Sequence, residues 1–355
     1  MATIEIGQRL PARGVRGARE AVARESHAAA VAAADETERL ILARVKEAFY
    51  EAWFATSAID ILTRTQATFG ETAEVARARY ASGASPQRDV LRAQMQLARL
   101  EEQLASLRAE RLAAIGELQA LVDRQALELA PDDYPAEVRA LALAPLPAGA
   151  FTAVTDTGSL GQRLPSLAEL HRVAVARRPS LRALEHEEAA AREAVRLAEA
   201  ERFPEMELML GYGVRWGHPD LLSAAIRVPL PVFAERRQRL AVVEARHELA
   251  AAAAAGRAGR NETRAELARR HAMLVRRREQ IRLLLDGVVP HARTSIETAS
   301  AAYATGRGEL PEVLEAHATL FAAEMELARL LADFGRELAQ LELAIGTDLL
   351  REERT

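Results

Sequence analysis

Two stretches of the chain, YASGASPQRDVLRAQ at 80–94 and YATGRGELPEVLEAH at 303–317, are near-copies of each other. Aligned without a gap, the segments 78–107 and 301–330 share the Tyr and Gly of a turn, a Val-Leu pair and a ladder of leucines. In each copy, helix-forming sequence stops at the glycine and resumes near a proline, which predicts a helix, a tight turn and a second helix. A period of roughly 220 residues is too long for a solenoid. The sequence therefore predicts a duplicated half that contains one long helical hairpin.

The sequence around the two turns predicts long helices and a few strands. Apolar residues recur every three or four positions in the segments 15–79 and 310–345, which is the pattern of coiled-coil helices. A second pair of helices is predicted over 87–122 and 236–302. Apolar and polar residues alternate near Ile4 and again within a predicted β-hairpin, which is typical of strands with two different faces. The predicted organisation is a first repeat at 1–124, a Pro- and Gly-rich linker at 125–165, and a second repeat at 166–350 that includes the β-hairpin 205–231.

Composition excludes several classes of function. The net charge of −4 argues against general nucleic-acid binding, and no cysteine is available for a disulfide, a thiolate metal site or a nucleophile. The eight histidines show no metal-ligand spacing, and no phosphate-binding loop is present. We therefore expect no cofactor, no metal site and no enzymatic activity. No apolar run has the length of a membrane helix, and no secretory signal is visible, so a cytoplasmic coiled-coil scaffold is one candidate function.

Three segments carry a resemblance to a known family. They are the twice-used Tyr-x-x-Gly turn followed by Asp/Glu-Val-Leu, the segment RRPSLRALEHEEAAAREAVRLAEAERFPEMELMLGYG at 177–213, and the junction IRVPLPVFAERRQ at 226–238. In this order the chain resembles the TolC-like outer-membrane efflux channels. The resemblance implies a mainly α fold with a small β part. Long coiled-coil helical hairpins would form an α-barrel, and antiparallel strands would contribute to a trimeric transmembrane β-barrel in the outer membrane.

The resemblance also implies partners and a function. The protein would be a homotrimer whose strands meet outer-membrane lipid, and whose helical part meets a periplasmic adaptor (membrane fusion) protein and an inner-membrane pump. It would be the passive conduit of a tripartite efflux system for small molecules or metal cations. A cytoplasmic scaffold without transport activity is the alternative, and detergent dependence separates the two because only a channel needs detergent.

The resemblance assigns roles to residues around both turns. The gate would include Tyr303, and carboxylates that follow each turn would form rings that favour cations in a narrow pore. The family's gate arginine falls at Gly308 here, so a neighbouring arginine is expected to supply that cation. The positions implied for the pore entrance and gate are Asp89, Glu312, Glu315, Tyr303, Arg307 and Arg88, and those for adaptor docking are Gly83 and Gly306. Without the resemblance, the same acidic residues are explained as charges favoured at helix N-termini, and the glycines as turn formers.

The start of the chain departs from the family pattern. The resemblance implies a signal sequence, a first helix and four strands per protomer, whereas this sequence opens on what resembles the second strand and shows three strands. From the sequence we therefore expect an N-terminally truncated member of the family, and the resemblance implies a location in the cell outer membrane with the helical part in the periplasm.

Overall fold

The structure is a computed structural model that describes residues 2–143, 164–214, 216–217, 220–228 and 234–349. In chain order its elements are β1 (Ala2–Leu10), α1 (Val15–Ala81), α2 (Gln87–Val122), a 3₁₀ turn (Pro131–Asp133), α3 (Ala136–Leu143), α4 (Leu167–Arg177), α5 (Pro179–Ala200), β2 (Met206–Val214), β3 (Leu221–Arg227), α6 (Ala234–Leu283), a π-helical segment (Leu284–Val288), α7 (Val289–Ala304) and α8 (Leu310–Ile345). The mainly α fold with a small antiparallel sheet is therefore confirmed. Within these described stretches, no helix is both long enough and apolar enough to cross a membrane.

The chain divides into two compact units, each made of two separate stretches. One unit contains Met1–Thr37 and Arg177–Arg264, and the other contains Glu38–Ala176 and Ala265–Thr355. Each unit contains residues from both predicted repeats, so the boundaries of the compact units differ from the boundaries of the sequence repeats. The described part of the predicted linker holds the 3₁₀ turn and α3, and residues 144–163 lie outside the described residues.

The first unit contains a three-stranded antiparallel sheet in the order β1-β2-β3. The register pairs Ile6 with Leu210 and Leu210 with Ala224, so apolar side chains from all three strands share one face. That face is open to solvent, with Ile6 70% exposed and Ile226 70% exposed. On the other face, an Arg227 guanidinium nitrogen lies 3.1 Å from a carboxylate oxygen of Glu207. The sheet thus has one exposed apolar face and one charged face.

Helix α5 links the other elements of the first unit through polar contacts. The His186 imidazole lies 2.9 Å from the Glu25 carboxylate on α1, and Arg246 on α6 donates to Glu199 at 3.0 Å. Both pairs are partly exposed to solvent, so each one contributes little to the stability of the fold. The buried residues of α5 are Pro179, Leu181 and Ala183, all near its N-terminus.

The second unit is built on long helices that pack around two apolar clusters. In the first cluster, Trp53 on α1 donates its indole N–H to the Pro131 carbonyl at 2.8 Å, and Tyr134 donates its hydroxyl to the Leu331 carbonyl of α8 at 2.8 Å. These two bonds hold the 3₁₀ turn and α3 against α1 and α8. The second cluster lies nearer the turns and contains Phe69 of α1 and Leu310 of α8, both almost fully buried.

The helices on either side of both turns begin and end close to the positions expected from the sequence. Helix α2 covers Gln87–Val122 and α8 covers Leu310–Ile345, as predicted. The helix expected over 236–302 differs, because the π-helical segment Leu284–Val288 divides it into α6 and α7. Pro290 explains the position of this interruption, since a proline has no N–H to donate and crowds the carbonyl four residues earlier.

Candidate functional site

The two repeated turns adopt the same backbone conformation. In the first, Ser82 N–H donates to the Ala78 carbonyl at 3.1 Å, and Ala84 N–H donates to the Arg79 carbonyl at 2.8 Å. The second turn repeats both hydrogen bonds: the N–H of residue 305 donates to the carbonyl of residue 301 at 3.2 Å, and the N–H of residue 307 donates to the carbonyl of residue 302 at 2.9 Å. Gly83 has φ of +75° and Gly306 has φ of +79°, a conformation that L-residues rarely adopt. The prediction that both glycines form turns with positive φ is confirmed.

The side chains at the two turns, in contrast, are arranged asymmetrically. Tyr80 of the first turn is 46% exposed, whereas its counterpart Tyr303 is only 2% exposed. Arg79 covers the Tyr303 ring. Its guanidinium carbon lies 4.6 Å from the ring centroid, and its Nη1 donates a hydrogen bond to the Tyr303 carbonyl. A guanidinium over an aromatic face adds a cation–π attraction to that hydrogen bond. Arg79 therefore joins the first turn to the second, and we call residues 79–89 and 302–312 together the tip.

The buried groups of the tip include a phenol and a carboxylate. Burial is the largest factor that raises the pKa of Tyr303, and the nearby Asp89 carboxylate raises it further, against the opposing effects of Arg79 and Ser85. Asp89 is 8% exposed, although it lies in the first turn of α2. Among the described residues, none forms a hydrogen bond to the hydroxyl of Tyr303 or of Ser85 with acceptable geometry. The tip therefore encloses polar groups that the protein satisfies incompletely.

The three predicted carboxylates have different surroundings. Asp89 is buried within the tip, whereas Glu312 and Glu315 on α8 are exposed. Glu312 also accepts a hydrogen bond from the Glu309 N–H at 3.4 Å, as the acidic member of a capping box does. Glu312 thus has a structural role at the start of α8 that is compatible with a role at an entrance. Glu315 lies one helical turn further along the same exposed side.

Neither arginine proposed from the sequence contacts Tyr303 in the structure. Arg88 has its Nε 3.9 Å from the Asp89 carboxylate with its side chain 73% exposed, and Arg307 donates to the Thr305 hydroxyl at 3.3 Å. The contact to Tyr303 comes from Arg79, which is not among the residues predicted from the sequence. The available signal was a break in the repeat, because the first copy has Arg79 where the second has Ala302.

A second group of charged residues lines a cavity of about 670 Å³ in the same unit, between α1, α2, α6 and α8. Its arginines are paired with carboxylates: Arg277 lies 2.7 Å from Asp333, and Arg336 lies 2.8 Å from Glu51. The cavity wall is therefore charged, with both signs interspersed. In the part of the chain that the structure describes, no three His, Cys, Asp or Glu residues are grouped so as to hold a metal ion.

Sequence comparison identifies the family of this chain. The sequence model of the family described as outer membrane efflux protein matches residues 1–123 and 170–347, which is most of the chain and includes both turns. The chain belongs to the outer membrane efflux protein family. No curated protein gives a significant match to the chain.

Solved channels of the outer membrane have the fold of this outer membrane efflux protein. The outer-membrane channel OprN has 19% sequence identity and a TM-score of 0.80, and the match covers 98% of this chain and 75% of OprN. The open state of the MtrE outer membrane channel from Neisseria gonorrhoeae has 19% identity and a TM-score of 0.77, with 100% and 82% coverage. VceC from Vibrio cholerae has 18% identity and a TM-score of 0.76, with 98% and 79% coverage. At these identities the similarity establishes the fold.

Family membership decides between the two functions considered from the sequence. An outer membrane efflux protein is a component of an export channel, so the efflux-channel prediction is confirmed, and the cytoplasmic scaffold is not favoured. The family and the structural relatives are channel proteins rather than enzymes. The helical hairpins and the small sheet of this outer membrane efflux protein are therefore parts of a channel.

Proposed function

We propose that the protein is a homotrimeric passive conduit through the outer membrane, which exports small molecules or metal cations in a tripartite efflux system. The observation that carries this proposal is the two-faced sheet in a member of the outer membrane efflux protein family. A periplasmic adaptor protein would contact the helical part, and an inner-membrane pump would supply the energy. No residue of the conduit needs to perform chemistry on the cargo.

The sheet supports the part of the proposal that concerns lipid and the trimer. Its exposed apolar face, which includes Ile6 and Ile226, is suited to hydrocarbon, while the face with Glu207 and Arg227 is suited to water. The three strands among the described residues cannot close a barrel by themselves, so in this proposal the strands of several chains combine. We assign the apolar face to outer-membrane lipid and the charged face to the water-filled interior.

The tip supports the part that concerns gating. The Arg79 contact to the ring and carbonyl of Tyr303 joins the two hairpins of one protomer at their turns: the first hairpin is α1 and α2, and the second is α6, α7 and α8. We assign this contact to the closed entrance of the conduit, where it holds the second hairpin against the first. In this assignment, Arg79 takes the role that the resemblance implied for Arg307 or Arg88.

The exposed carboxylates and the turn glycines have separate roles in the proposal. Glu312 and Glu315 face solvent and would give the entrance a fixed negative charge that favours cations. Asp89 would act by stabilising the buried tip rather than by lining the entrance, because it is only 8% exposed. Gly83 and Gly306 would shape the surface on which the adaptor docks.

The gate is tested by conductance measurements on the detergent-purified full chain in planar bilayers. Arg79→Ala should raise the single-channel conductance several-fold, because it removes the contact to Tyr303. Arg77→Ala is the matched control, since Arg77 lies on the same helix with its side chain 51% exposed and pairs only with Glu74 among the described partners. Equal conductance in both variants contradicts the gate assignment. Absence of channels in every protein, together with solubility without detergent, contradicts the conduit itself.

The charge assignment is tested by the double change Glu312→Gln and Glu315→Gln. Glutamine keeps the capping box at the start of α8, so the fold of the turn is preserved while two charges are removed. Reversal potentials in a salt gradient should then show reduced cation selectivity. Selectivity equal to that of the parent protein means that these residues do not line the entrance.

A further inference from the structure

The cavity between α1, α2, α6 and α8, here called the charged cavity, lies on the side of α1 that faces away from α3. On the other side, Trp53 of α1 donates its indole N–H to the Pro131 carbonyl at 2.8 Å, so that side is covered by the 3₁₀ turn and α3. The wall of the charged cavity takes four residues of α1, at the i, i+3, i+4, i+7 spacing of one helix face: Arg44, Glu47, Ala48 and Glu51. In the second unit, α1 therefore has a covered side and a charged side.

Ion pairs connect three helices across the wall of the charged cavity. Arg277 of α6 lies 2.7 Å from Asp333 of α8, and Asp333 also accepts a hydrogen bond from Arg336, one turn further along α8. Arg336 reaches α1, where it lies 2.8 Å from Glu51. Glu51 in turn accepts a hydrogen bond from Arg329 at 3.0 Å. We call these five residues the charge ladder, which contains one more guanidinium than it contains carboxylates.

The hydrogen-bonding capacity left in the charge ladder belongs to donors. The two oxygens of Asp333 are taken by Arg277 and Arg336, one each. The two oxygens of Glu51 are taken by Arg329 and Arg336. A guanidinium has five N–H donors and no acceptor, so the arginines keep N–H groups that the carboxylates of the ladder do not occupy. At the cavity wall the ladder therefore presents positive charge and hydrogen-bond donors.

The carboxylates of the cavity wall outside the charge ladder leave these donors free. Glu337 is paired with Arg270 at 3.1 Å, and Glu47 accepts a hydrogen bond from the Gln340 amide at 2.5 Å. Glu117 of α2 is exposed, so water and salt screen its charge. These carboxylates reduce the positive charge of the wall, but they do not occupy the N–H groups of the ladder.

We propose that the charged cavity binds organic anions that carry a carboxylate, with Arg44, Arg277 and Arg336 as the donors. Arg44 is exposed at the wall and has no ion pair among the described residues, so its guanidinium is available to a ligand. A guanidinium meets a carboxylate through two parallel N–H···O bonds, which favours this ligand over a neutral molecule of the same shape. The volume of about 670 Å³ lies in the range of sites for small organic molecules.

The consequence for cargo rests on the proposed conduit function. The interior of a conduit has to stay open, so the side of α1 that α3 covers is the outside, and the charged cavity borders the interior. Glu315 at the entrance and Asp333 are separated by about 27 Å along α8, at about 1.5 Å per residue. This exceeds the Debye length of about 8 Å, so the entrance carboxylates do not repel an anion held at the cavity. The cargo is then a small molecule with a carboxylate, with or without a cationic group, rather than a metal cation.

Equilibrium dialysis tests the site without any transport assay. The full chain, purified in detergent, is dialysed at low ionic strength against sodium benzoate, or against benzamide as an uncharged probe of the same shape, and empty micelles give the background. The parent protein should retain benzoate and not benzamide. Arg44→Gln combined with Arg336→Gln should lower benzoate retention at least about fivefold, because two of the three donors are lost. Absence of benzoate retention by the parent, or equal retention of the two probes, overturns the proposal.

The Arg336→Gln change is chosen so that loss of binding is distinguishable from loss of the fold. In this variant Asp333 keeps Arg277 and Glu51 keeps Arg329, so neither carboxylate is left without an arginine. The Tm of the double variant should therefore stay close to that of the parent protein. A folded double variant that retains as much benzoate as the parent contradicts the site.

Two single variants complete the dialysis experiment. Arg108→Gln is the matched control and should retain benzoate like the parent, since Arg108 is an exposed arginine of α2 outside the cavity wall. Should the double variant fail to fold, Arg44→Gln alone decides, because Arg44 has no ion pair to lose among the described residues. Benzoate retention by Arg44→Gln equal to that of Arg108→Gln then overturns the proposal.

Conductance in planar bilayers tests the position of the cavity in the conduit. Benzoate should reduce the single-channel conductance of the parent more than that of the double variant, whereas benzamide should affect both equally. An equal effect of benzoate on the two proteins contradicts the assignment of the cavity to the interior. If no protein conducts, the proposed conduit fails, and dialysis still decides whether the charged cavity binds a carboxylate.

Discussion

Replacing His317 with glutamine should make the protein less sensitive to acid. His317 is 5% exposed in the cluster nearest the turns. The Phe69 ring lies 5.1 Å from the imidazole, edge to face, and the Thr72 hydroxyl lies 3.3 Å from Nε2. Burial in these surroundings lowers the pKa of His317 from 6.5 to about 4. The folded protein therefore resists the protonation that the unfolded chain accepts.

The sign and size of the effect follow from this difference in pKa. Because the unfolded state binds the proton more tightly, the stability is complete above pH 6.5 and is lost as the pH falls from 6.5 toward 4. Below pH 4 no further loss comes from this group. A depression of this size corresponds to at most about 3 kcal/mol per subunit, and solvent screening reduces it. Glutamine carries no titratable proton, so this part of the acid sensitivity should disappear.

The assay is thermal unfolding of the detergent-purified protein at a series of pH values between 7 and 4, at one protein concentration. The difference in Tm between the parent and His317→Gln should change across this range, with the variant gaining relative to the parent as the pH falls. The repeat supplies the replacement, because Gln94 occupies the corresponding position of the first hairpin. His27→Gln, at an exposed position, is the control and should follow the parent. A Tm difference that is independent of pH for His317→Gln refutes the reasoning.

Two further changes test the second unit. Lys46→Met removes the ammonium that lies 2.6 Å from the Glu342 carboxylate, whose side chain is only 8% exposed, so the buried carboxylate keeps the Leu349 N–H as a donor and loses its neighbouring cation. Because the Lys46 side chain is 39% exposed and solvent screens the pair, we expect a loss of about 1–3 kcal/mol in the free energy of unfolding, partly recovered when Glu342→Met is added, and a single variant as stable as the parent would contradict this. Gly335→Ala places a methyl group inside the Tyr50 ring and should cost about 1–3 kcal/mol, whereas Gly116→Ala, which meets no atom within 4 Å, should not lower Tm.

The helical hairpins were predictable because local sequence signals fix them. Gly83 and Gly306 end one helix of each pair with a positive φ, and Pro86 lies just before the first residue of α2. The alternation near Ile4 and over the β-hairpin gave the strands, although β3 begins at Leu221, earlier than the alternation suggested. Each of these signals involves only residues that are close together in the chain, so it can be recognised in a single sequence.

The contacts between distant elements were not predictable in the same way. Arg79 and Tyr303 are separated by more than two hundred positions, and no periodicity connects them. The π segment was also missed, because helix periodicity continues across Leu284 and Val288 while only the hydrogen-bond ladder changes. Pro290 was a visible warning, since a proline inside a helical pattern marks a break or a kink.

The contacts at the tip depart from the duplication of the sequence. Two hairpins of similar sequence could pack with equivalent contacts, yet one tyrosine is buried and its counterpart Tyr80 is 46% exposed. The residue that makes the difference is Arg79, which the second copy replaces with Ala302 and which therefore reaches from the first hairpin to the second only. The π segment breaks the equivalence again, in the second hairpin. Both departures from the repeat leave the helix of the first hairpin continuous, and the Arg79 contact holds the second hairpin at its turn.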